Sequence, residues 1–493
     1  MGLGAHLSTT VAGGRVFMQV VDGASAGAVS GECLDVVCPS DGKVFASIPR
    51  SGAADVERAV RAARHAFGGG PWSKTSAVER GRLLTKLGLL VEKNADELAA
   101  LESRDTGKPL RQGKADVVAA MRYYEFYGGA GDKIHGDTIP FLDGYTAMTL
   151  REPHGVVAGI LPWNYPLQIL GRVAGAALAM GNTLVVKPAE DASLTAIRVA
   201  ELALEAGFPP GVFNVITGLG AEVGAALSCH PDVDYVTFTG SPPTGTAIQQ
   251  AAALNNRGVT MELGGKSPQI VFADADIDRA LPVLVNAVIQ NGGQTCSAGS
   301  RVLVEASVYD RVAEGLAERF SKLVAGPHWD DLDLGALINP KQRARVAGMV
   351  DAAEGAGIPI LARGSVHPDA PAGGNYYAPA LFGPVPTDAQ LAQEEVFGPV
   401  LGVFPFRDEE DAICLANSTD YGLVAGIWTA DGARQHRVAK RVRAGQVFVN
   451  SYGAGGGVEL PFGGFKRSGH GREKGFEALY DMSATKTIVF NHG

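Results

Sequence analysis

VVAGIL (156–161), TLVVK (183–187), FNVI (213–216) and YVTFT (235–239) are four short apolar runs. Helical periodicity fills the stretches that follow them, 167–180, 192–206, 221–229 and 243–253. A run of strands each followed by a helix predicts a parallel sheet covered by helices, because parallel strands need crossover connections and are buried on both faces. That α/β architecture is the one that holds dinucleotides, although periodicity alone equally allows a domain of this class for another ligand.

Outward from this block, Val56, Ala59, Val60, Ala63 and Phe67 recur at the spacing of one buried helix face. A second helix is expected from about 78 to 103, stopped by Gly107 and Pro109. On the C-terminal side, apolar runs at 269–273 and 301–305 with helical patterns at 276–291 and 307–324 predict a second α/β block. The stretch 361–376, rich in Gly, Pro and His, is expected to be a surface loop. No tandem repeat or low-complexity tail is present.

At 493 residues the chain is too long for one ordinary core. Its charged fraction of 19% and apolar fraction of 46% are those of a globular protein. A net charge of −9 without a dense Lys/Arg block argues against nucleic acid or an anionic membrane as partner. No apolar run reaches the roughly 18 residues of a bilayer span, and the first ten residues do not read as a signal peptide. Cys33, Cys38, Cys229, Cys296 and Cys414 show no metal-ligand spacing, so no metal is expected, and their odd number suits a reducing, cytoplasmic location.

Three local patterns carry chemistry. GQTCSAG (293–299) puts Cys296 on a turn of small residues between a helix and a strand, open to a carbonyl carbon. An ordinary thiol is mostly protonated at neutral pH, so such a nucleophile needs a base, dipole or cation nearby; the alternative is a buried structural Cys. MELGGKSP (261–268) sets Glu262 among apolar residues, where burial raises its pKa toward that of a general base; the alternative is an ion pair with Lys266. LPWNYP (161–166) closes a parallel strand and offers the Asn164 amide to an oxyanion, or else is only a rigid Pro-bracketed turn.

No GxGxxG occurs where a Rossmann fingerprint would sit. Instead FTGSPPTG (238–245) joins a strand to a helix, whose N-terminus suits a pyrophosphate. VVKPAE (185–190) offers a cation and a carboxylate to a ribose.

In this order and spacing, the patterns resemble the aldehyde dehydrogenase superfamily over nearly the whole chain, together with QEEVFGPV (393–400) and PFGGFKRSG (461–469). The resemblance implies the NAD(P)-dependent, hydrolytic type. Cys296 would be the nucleophile, Glu262 the general base, and Asn164 with the Cys296 N–H the oxyanion hole. Lys187 and Glu190 would hold the adenine ribose, with Gly240 and Ser241 beside the pyrophosphate. Glu395 would hold the nicotinamide ribose with Phe397 near the ring, and Trp163 and Gly220 would also contact cofactor. Glu190 favours NAD, with NADP possible, since a carboxylate there repels a 2′-phosphate. The thiolate would add to the aldehyde, hydride would pass to NAD⁺, and water would hydrolyse the thioester.

The resemblance also implies a Rossmann-like cofactor domain (1–133 and 153–261), a catalytic α/β domain (262–466) and a small β oligomerisation extension (134–152 and 467–493). The extension would combine a hairpin with a final strand at 486–490, giving a homodimer or homotetramer. Two positions depart from the pattern. Arg172 and Val173 stand where relatives often carry an aromatic residue and Lys, so Arg172 is expected to replace that charge beside Glu473 or to line the substrate entrance. The loop 451–459 is Gly-rich where relatives place bulky residues, leaving room for an aromatic, terpenoid or medium-chain aldehyde. The competing readings are a CoA-acylating relative, which would lack Glu262, a thiol hydrolase, which would need a His in a motif, and a catalytically dead scaffold that binds rather than reacts.

Overall fold

The computed structural model describes residues 10–11, 14–453 and 457–493. Four buried strands, Val156–Ile160, Thr183–Lys187, Phe213–Val215 and Tyr235–Thr239, form where the apolar runs stand. With Gly258–Glu262 they make the parallel centre of an eight-stranded sheet. Antiparallel strands flank it, Gly469–His470 beside Gly258–Glu262 and Gln19–Val21 beside Phe213–Val215. From Val156–Ile160 the chain winds to Thr183–Lys187 and Phe213–Val215 on one side, then returns to Tyr235–Thr239 on the other. The order therefore reverses between Val156–Ile160 and Tyr235–Thr239. Sheets of this class take ligands beyond the C-terminal strand ends at such a reversal.

A second sheet of seven strands runs Ile360–Arg363, Ala380–Phe382, Val400–Phe406, Arg301–Glu305, Pro268–Val271, Val424–Trp428 and Gln446–Val449. It is parallel except for its first strand. A third, antiparallel sheet pairs Tyr145–Pro153 with Thr138–Ile139 and with Ser483–Asn491. The expected hairpin and final strand are thus present, the strand longer than 486–490. Among the described residues no helix is long and apolar enough to cross a membrane.

Several helices differ from expectation. Ala53–Gly68 buries Val56, Ala59, Val60, Ala63 and Ala66, while Phe67 is only half-buried. The stretch 78–103 is two helices, Ala77–Lys93 and Ala95–Thr106. Asn94 breaks them, its amide donating to the Leu90 carbonyl at 2.7 Å, a local bond that competes with helical continuation. Gly107, at φ +79°, ends the second helix as expected, but Pro109 caps a further helix, Leu110–Ala130, that the stop signal concealed. The stretch 221–229 is a π-turn, Gly220–Gly224, and a single α-turn, Ala225–Ser228. Nor is 361–376 simply a surface loop. It contributes to Ile360–Arg363, holds Ser365–Val366, and ends with Asn375 and Tyr376 buried, the Tyr376 hydroxyl donating to the Ser40 carbonyl.

The two large sheets meet at residues 262–268. Buried Ser468 fastens this join: its hydroxyl donates to the Gly264 carbonyl (2.7 Å) and accepts from the Gly422 N–H (3.0 Å), while its carbonyl accepts from the Leu263 N–H. Gly469 follows at φ +110°, and a Cβ there would stand 1.8 Å from the Met261 carbonyl oxygen. The PFGGFKRSG segment is thus a strap holding the strand that ends in Glu262. Ser468→Ala leaves a buried donor and a buried acceptor without partners and is expected to destabilise the fold by about 1–3 kcal/mol. Thermal unfolding against the parent checks this; an unchanged Tm contradicts the strap.

Candidate active site

Helix Ile277–Ile289 passes into a tight turn, Gln290–Gly293, in which Asn291, Gly292 and Gly293 all take positive φ (51°, 63° and 76°). This reversal delivers Cys296 to the join. Close backbone approach is built in, since a Cβ on Gly293 would stand 2.1 Å from the Gly398 carbonyl oxygen and one on Gly265 would stand 2.3 Å from that of Cys296. The half-buried thiol packs with Leu423, Val424 and Phe462. Burial pushes it up to about 12; nearby Arg172 works against the rise, and Glu395 and Glu262 add to it. Among the described residues the Cys296 N–H donates to no protein oxygen.

Glu262 ends its strand opposite Thr239 and is buried. Among the described residues neither carboxyl oxygen meets a protein donor, and no ion pair with Lys266 forms. A Cβ on Gly463 would come within 2.8 Å of Glu262 Oε1, so this glycine leaves the carboxyl its space. Burial and the neighbouring Glu473 push the Glu262 carboxyl well above the carboxylate range, opposed by Arg172, Arg472 and Lys474.

Arg172 lies buried in helix Pro166–Ala179 and forms an ion pair with Glu473, which also accepts from the Thr237 hydroxyl at 3.2 Å. The guanidinium sits 5.3 Å from the centre of the Phe462 ring, and Lys474 sits 4.9 Å from it on the same ring. Arg172 is therefore a fixed cation whose charge acts on both Cys296 and Glu262, while Val173 is a buried apolar residue of the core.

Asn164 follows strand Val156–Ile160 just past its C-terminal end and is buried. Its amide carries two N–H donors, one of which goes to the Gln294 carbonyl at 3.0 Å, two residues before Cys296. Its main-chain carbonyl accepts from Lys108 Nζ (3.0 Å) and from the Asn291 side-chain amide (2.7 Å). Next to it, the Tyr165 hydroxyl bonds the Thr295 hydroxyl at 2.8 Å. Trp163 meets Phe397 edge-on, ring centres 5.3 Å apart, bringing together residues far separated in sequence. Glu395 accepts from the Gly265 N–H at 3.0 Å and is pushed up by burial to about 7, with Gly265 and Lys266 opposing.

The remaining candidates lie along the C-terminal edge of the first sheet. Lys187 bonds Glu190 at 2.7 Å, and Glu190 also receives the Gly220 N–H at 3.4 Å. This cation–carboxylate pair, half-open beside a glycine backbone, fits a ribose diol. Gly240 donates to the Glu262 carbonyl, so its N–H is not free for phosphate. Ser241 caps helix Pro242–Ala253, accepting from the Thr244 N–H at 3.4 Å, while Pro242 and Pro243 lack an N–H. A pyrophosphate here would meet the helix dipole and the Ser241 and Thr244 hydroxyls rather than a row of amides.

Sequence reasoning missed Lys108, Glu102, Asp116, Asn291 and Gln294, which surround Asn164. Glu102 and Asp116 look like ordinary helical charges, and Lys108 stands inside a stop signal, so only their tertiary burial marks them.

Two sheets joined at a glycine-rich turn, with a thiol, a carboxyl and an amide converging there, define an enzyme of the α/β oxidoreductase class. Residues 27–488 match the aldehyde dehydrogenase family, and the chain belongs to it. It is 42% identical over 473 residues to the Arabidopsis thaliana "Aldehyde dehydrogenase family 2 member B4, mitochondrial", covering 95% of this chain and 87% of that one. It is 60% identical, with a TM-score of 0.96, to the crystal structure of a protein from Burkholderia cenocepacia provisionally assigned as an aldehyde dehydrogenase, covering 97% of this chain and 100% of that one. It is 40% identical, with a TM-score of 0.94, to an NAD-dependent aldehyde dehydrogenase from Sinorhizobium meliloti, covering 97% and 95%.

With its thiol held up to about 12, Cys296 is protonated near neutrality in the free protein. Below that value the thiolate fraction rises about tenfold per pH unit. Peptide-resolved alkylation with iodoacetamide is therefore expected to be slow at Cys296 near pH 7 and to climb steadily through pH 10. Exposed Cys33, Cys229 and Cys414 serve as references. Labelling of Cys296 as fast as these at pH 7 contradicts the assignment.

Proposed function

We propose that this chain oxidises an aldehyde to the carboxylic acid with NAD⁺, through a thioester on Cys296 hydrolysed by water that Glu262 activates. The observation that carries this reading is the meeting of Cys296, Glu262 and Asn164 at the join, beside the point where the strand order reverses.

The bound nicotinamide supplies the hydride acceptor. Lys187, Glu190 and Gly220 fit the adenine ribose, Gly240 and Ser241 the region of the pyrophosphate, and Glu395 the nicotinamide ribose, with Trp163 and Phe397 as a ring wall. The Glu190 carboxylate supports NAD over NADP, as does the NAD dependence of the Sinorhizobium relative.

Cys296 Sγ releases its proton to solvent and forms a bond to the aldehyde carbon. The carbonyl oxygen becomes an oxyanion, met by the second Asn164 N–H and the Cys296 N–H, donors of a kind worth about 3–4 kcal/mol each in the transition state. Loss of hydride restores the carbonyl as a thioester. Glu262 then takes a proton from water, whose oxygen attacks that carbonyl and expels the thiolate; Glu262 returns the proton to Cys296 Sγ as the acid leaves. A carboxyl raised by burial is a stronger base than an exposed one, and its presence favours water over CoA as the acyl acceptor. Arg172, paired with Glu473, lends positive charge to the thiolate.

The Gly-rich loop 451–459 supports a larger aldehyde, aromatic, terpenoid or medium-chain; residues 454–456 of it lie outside those described. The division proposed is 1–133 with 153–261 for the cofactor, 262–466 for catalysis, and 134–152 with 467–493 for oligomerisation, although Gly469–His470 of the last range pairs with the first sheet. Strand Ser483–Asn491, with Val489 and Phe490 exposed, suits pairing in a homodimer or homotetramer.

An aldehyde panel with NAD⁺ or NADP⁺, followed by cofactor absorbance, tests the reading. Aldehyde-dependent reduction is expected, better with NAD⁺, and none from Cys296→Ala. Arg172→Ala is expected to lower kcat/KM for the aldehyde. No reduction by the parent with any aldehyde overturns the function, and unchanged kinetics in Arg172→Ala removes that residue's role.

A further inference from the structure

Away from the reacting atoms, the molecule holds a fully buried cation whose ligands are unusual for a structural ion pair. Lys108 is withdrawn from solvent together with Glu102 and Asp116. Its ammonium has three N–H donors and three partners: Asp116 Oδ2 at 2.5 Å, Glu102 Oε1 at 3.2 Å and the Asn164 carbonyl at 3.0 Å. The carboxylates grip the same short segment. Asp116 Oδ1 accepts from the Gln168 side-chain amide at 2.6 Å, and Glu102 Oε1 from the Leu167 N–H at 3.5 Å. The second Glu102 oxygen takes the Thr195 hydroxyl at 2.9 Å.

On the other side of Asn164 stands Asn291. Its amide reaches the Asn164 carbonyl at 2.7 Å, and its N–H donates to Gln112 on the helix that follows Lys108. The Asn164 side chain is tied to Gln294 in turn. A continuous chain of bonds thus runs from Lys108 through Asn164 to the turn that carries Cys296.

We propose that Lys108 is a positioning residue for catalysis: with Glu102 and Asp116 it forms a buried strut that fixes the Asn164 amide relative to Cys296. The proposal rests on Asn164 serving the oxyanion. A buried ammonium needs three acceptors, and here the third is the Asn164 main-chain carbonyl; burying charge is costly, so replacing a cluster of this kind by apolar residues is often neutral or stabilising. Loss of the strut removes one of the two bonds on the Asn164 main-chain carbonyl, leaving Asn291 alone to hold it and the side-chain amide less firmly placed. A displacement of about 1 Å at a reacting group can cost on the order of 10²-fold.

The test is a double-mutant cycle on the full chain, reading kcat/KM for the aldehyde, KM for NAD⁺ and Tm. Asn164→Ala is expected to lose about 10²–10³-fold in kcat/KM for the aldehyde. Lys108→Met is expected to lose about 10–10²-fold with KM for NAD⁺ unmoved. The double variant should be no slower than Asn164→Ala, because the side-chain donor that the strut places is already gone. Should Lys108→Met fail to fold, Lys108→Met with Asp116→Asn removes one of the two opposing charges along with the ammonium and is read in the same way. Losses that multiply in the double variant, or a Lys108 variant that lowers only Tm, overturn the proposal. A normal kcat/KM in Asn164→Ala overturns instead the oxyanion reading beneath it.

Discussion

Removal from water at the join of the two sheets governs the chemistry of Glu262 and Cys296 alike. Burial is the largest influence on both groups, and it raises both, so neither carries its charge readily in the free protein. Such a site works only if charge is supplied from fixed positions. Arg172 is the cation nearest in effect to both groups, and Glu473 keeps it from being an unpaired buried charge. The same burial that suppresses the thiolate at rest strengthens every electrostatic contact made to it once it forms.

The join dictates much of the surrounding sequence. Gly265, Gly293 and Gly463 stand where a Cβ would meet Cys296, Gly398 or Glu262 itself, so backbone approach sets the distances between reacting groups. Ser468 closes three segments over the end of the Glu262 strand. Asn164 arrives from the first sheet and Cys296 from the second, and a bond from one to the carbonyl of Gln294 spans the gap. No single element contains the site. Each contributes one group, and the hydrogen bonds across the join give them a common geometry.

The first sheet was legible because buried parallel strands are nearly continuous apolar runs, and 156–161, 183–187, 213–216 and 235–239 are of that kind. Helix Leu110–Ala130 was hidden because Pro109 reads as an ending when it is also a beginning, and Asn94 split a helix through a bond to Leu90 that no periodicity announces. In the site, Cys296, Glu262 and Asn164 each stood in a suggestive local setting, but their joint meaning came from the resemblance to a family. The pairing of Arg172 with Glu473 and the burial of Lys108 depend on contacts between distant segments. A charged residue on a helix looks the same in sequence whether it faces solvent or the core.

The most direct measurement of the central claim, that an acyl group rests on one sulfur until Glu262 lets water reach it, is intact and peptide mass spectrometry of Glu262→Gln after incubation with NAD⁺ and an aldehyde the parent oxidises. One acyl group per chain, located on Cys296 and matched by one equivalent of NADH formed rapidly before slow turnover, is the predicted result. Steady turnover at the parent's rate with no adduct on Cys296 would contradict it.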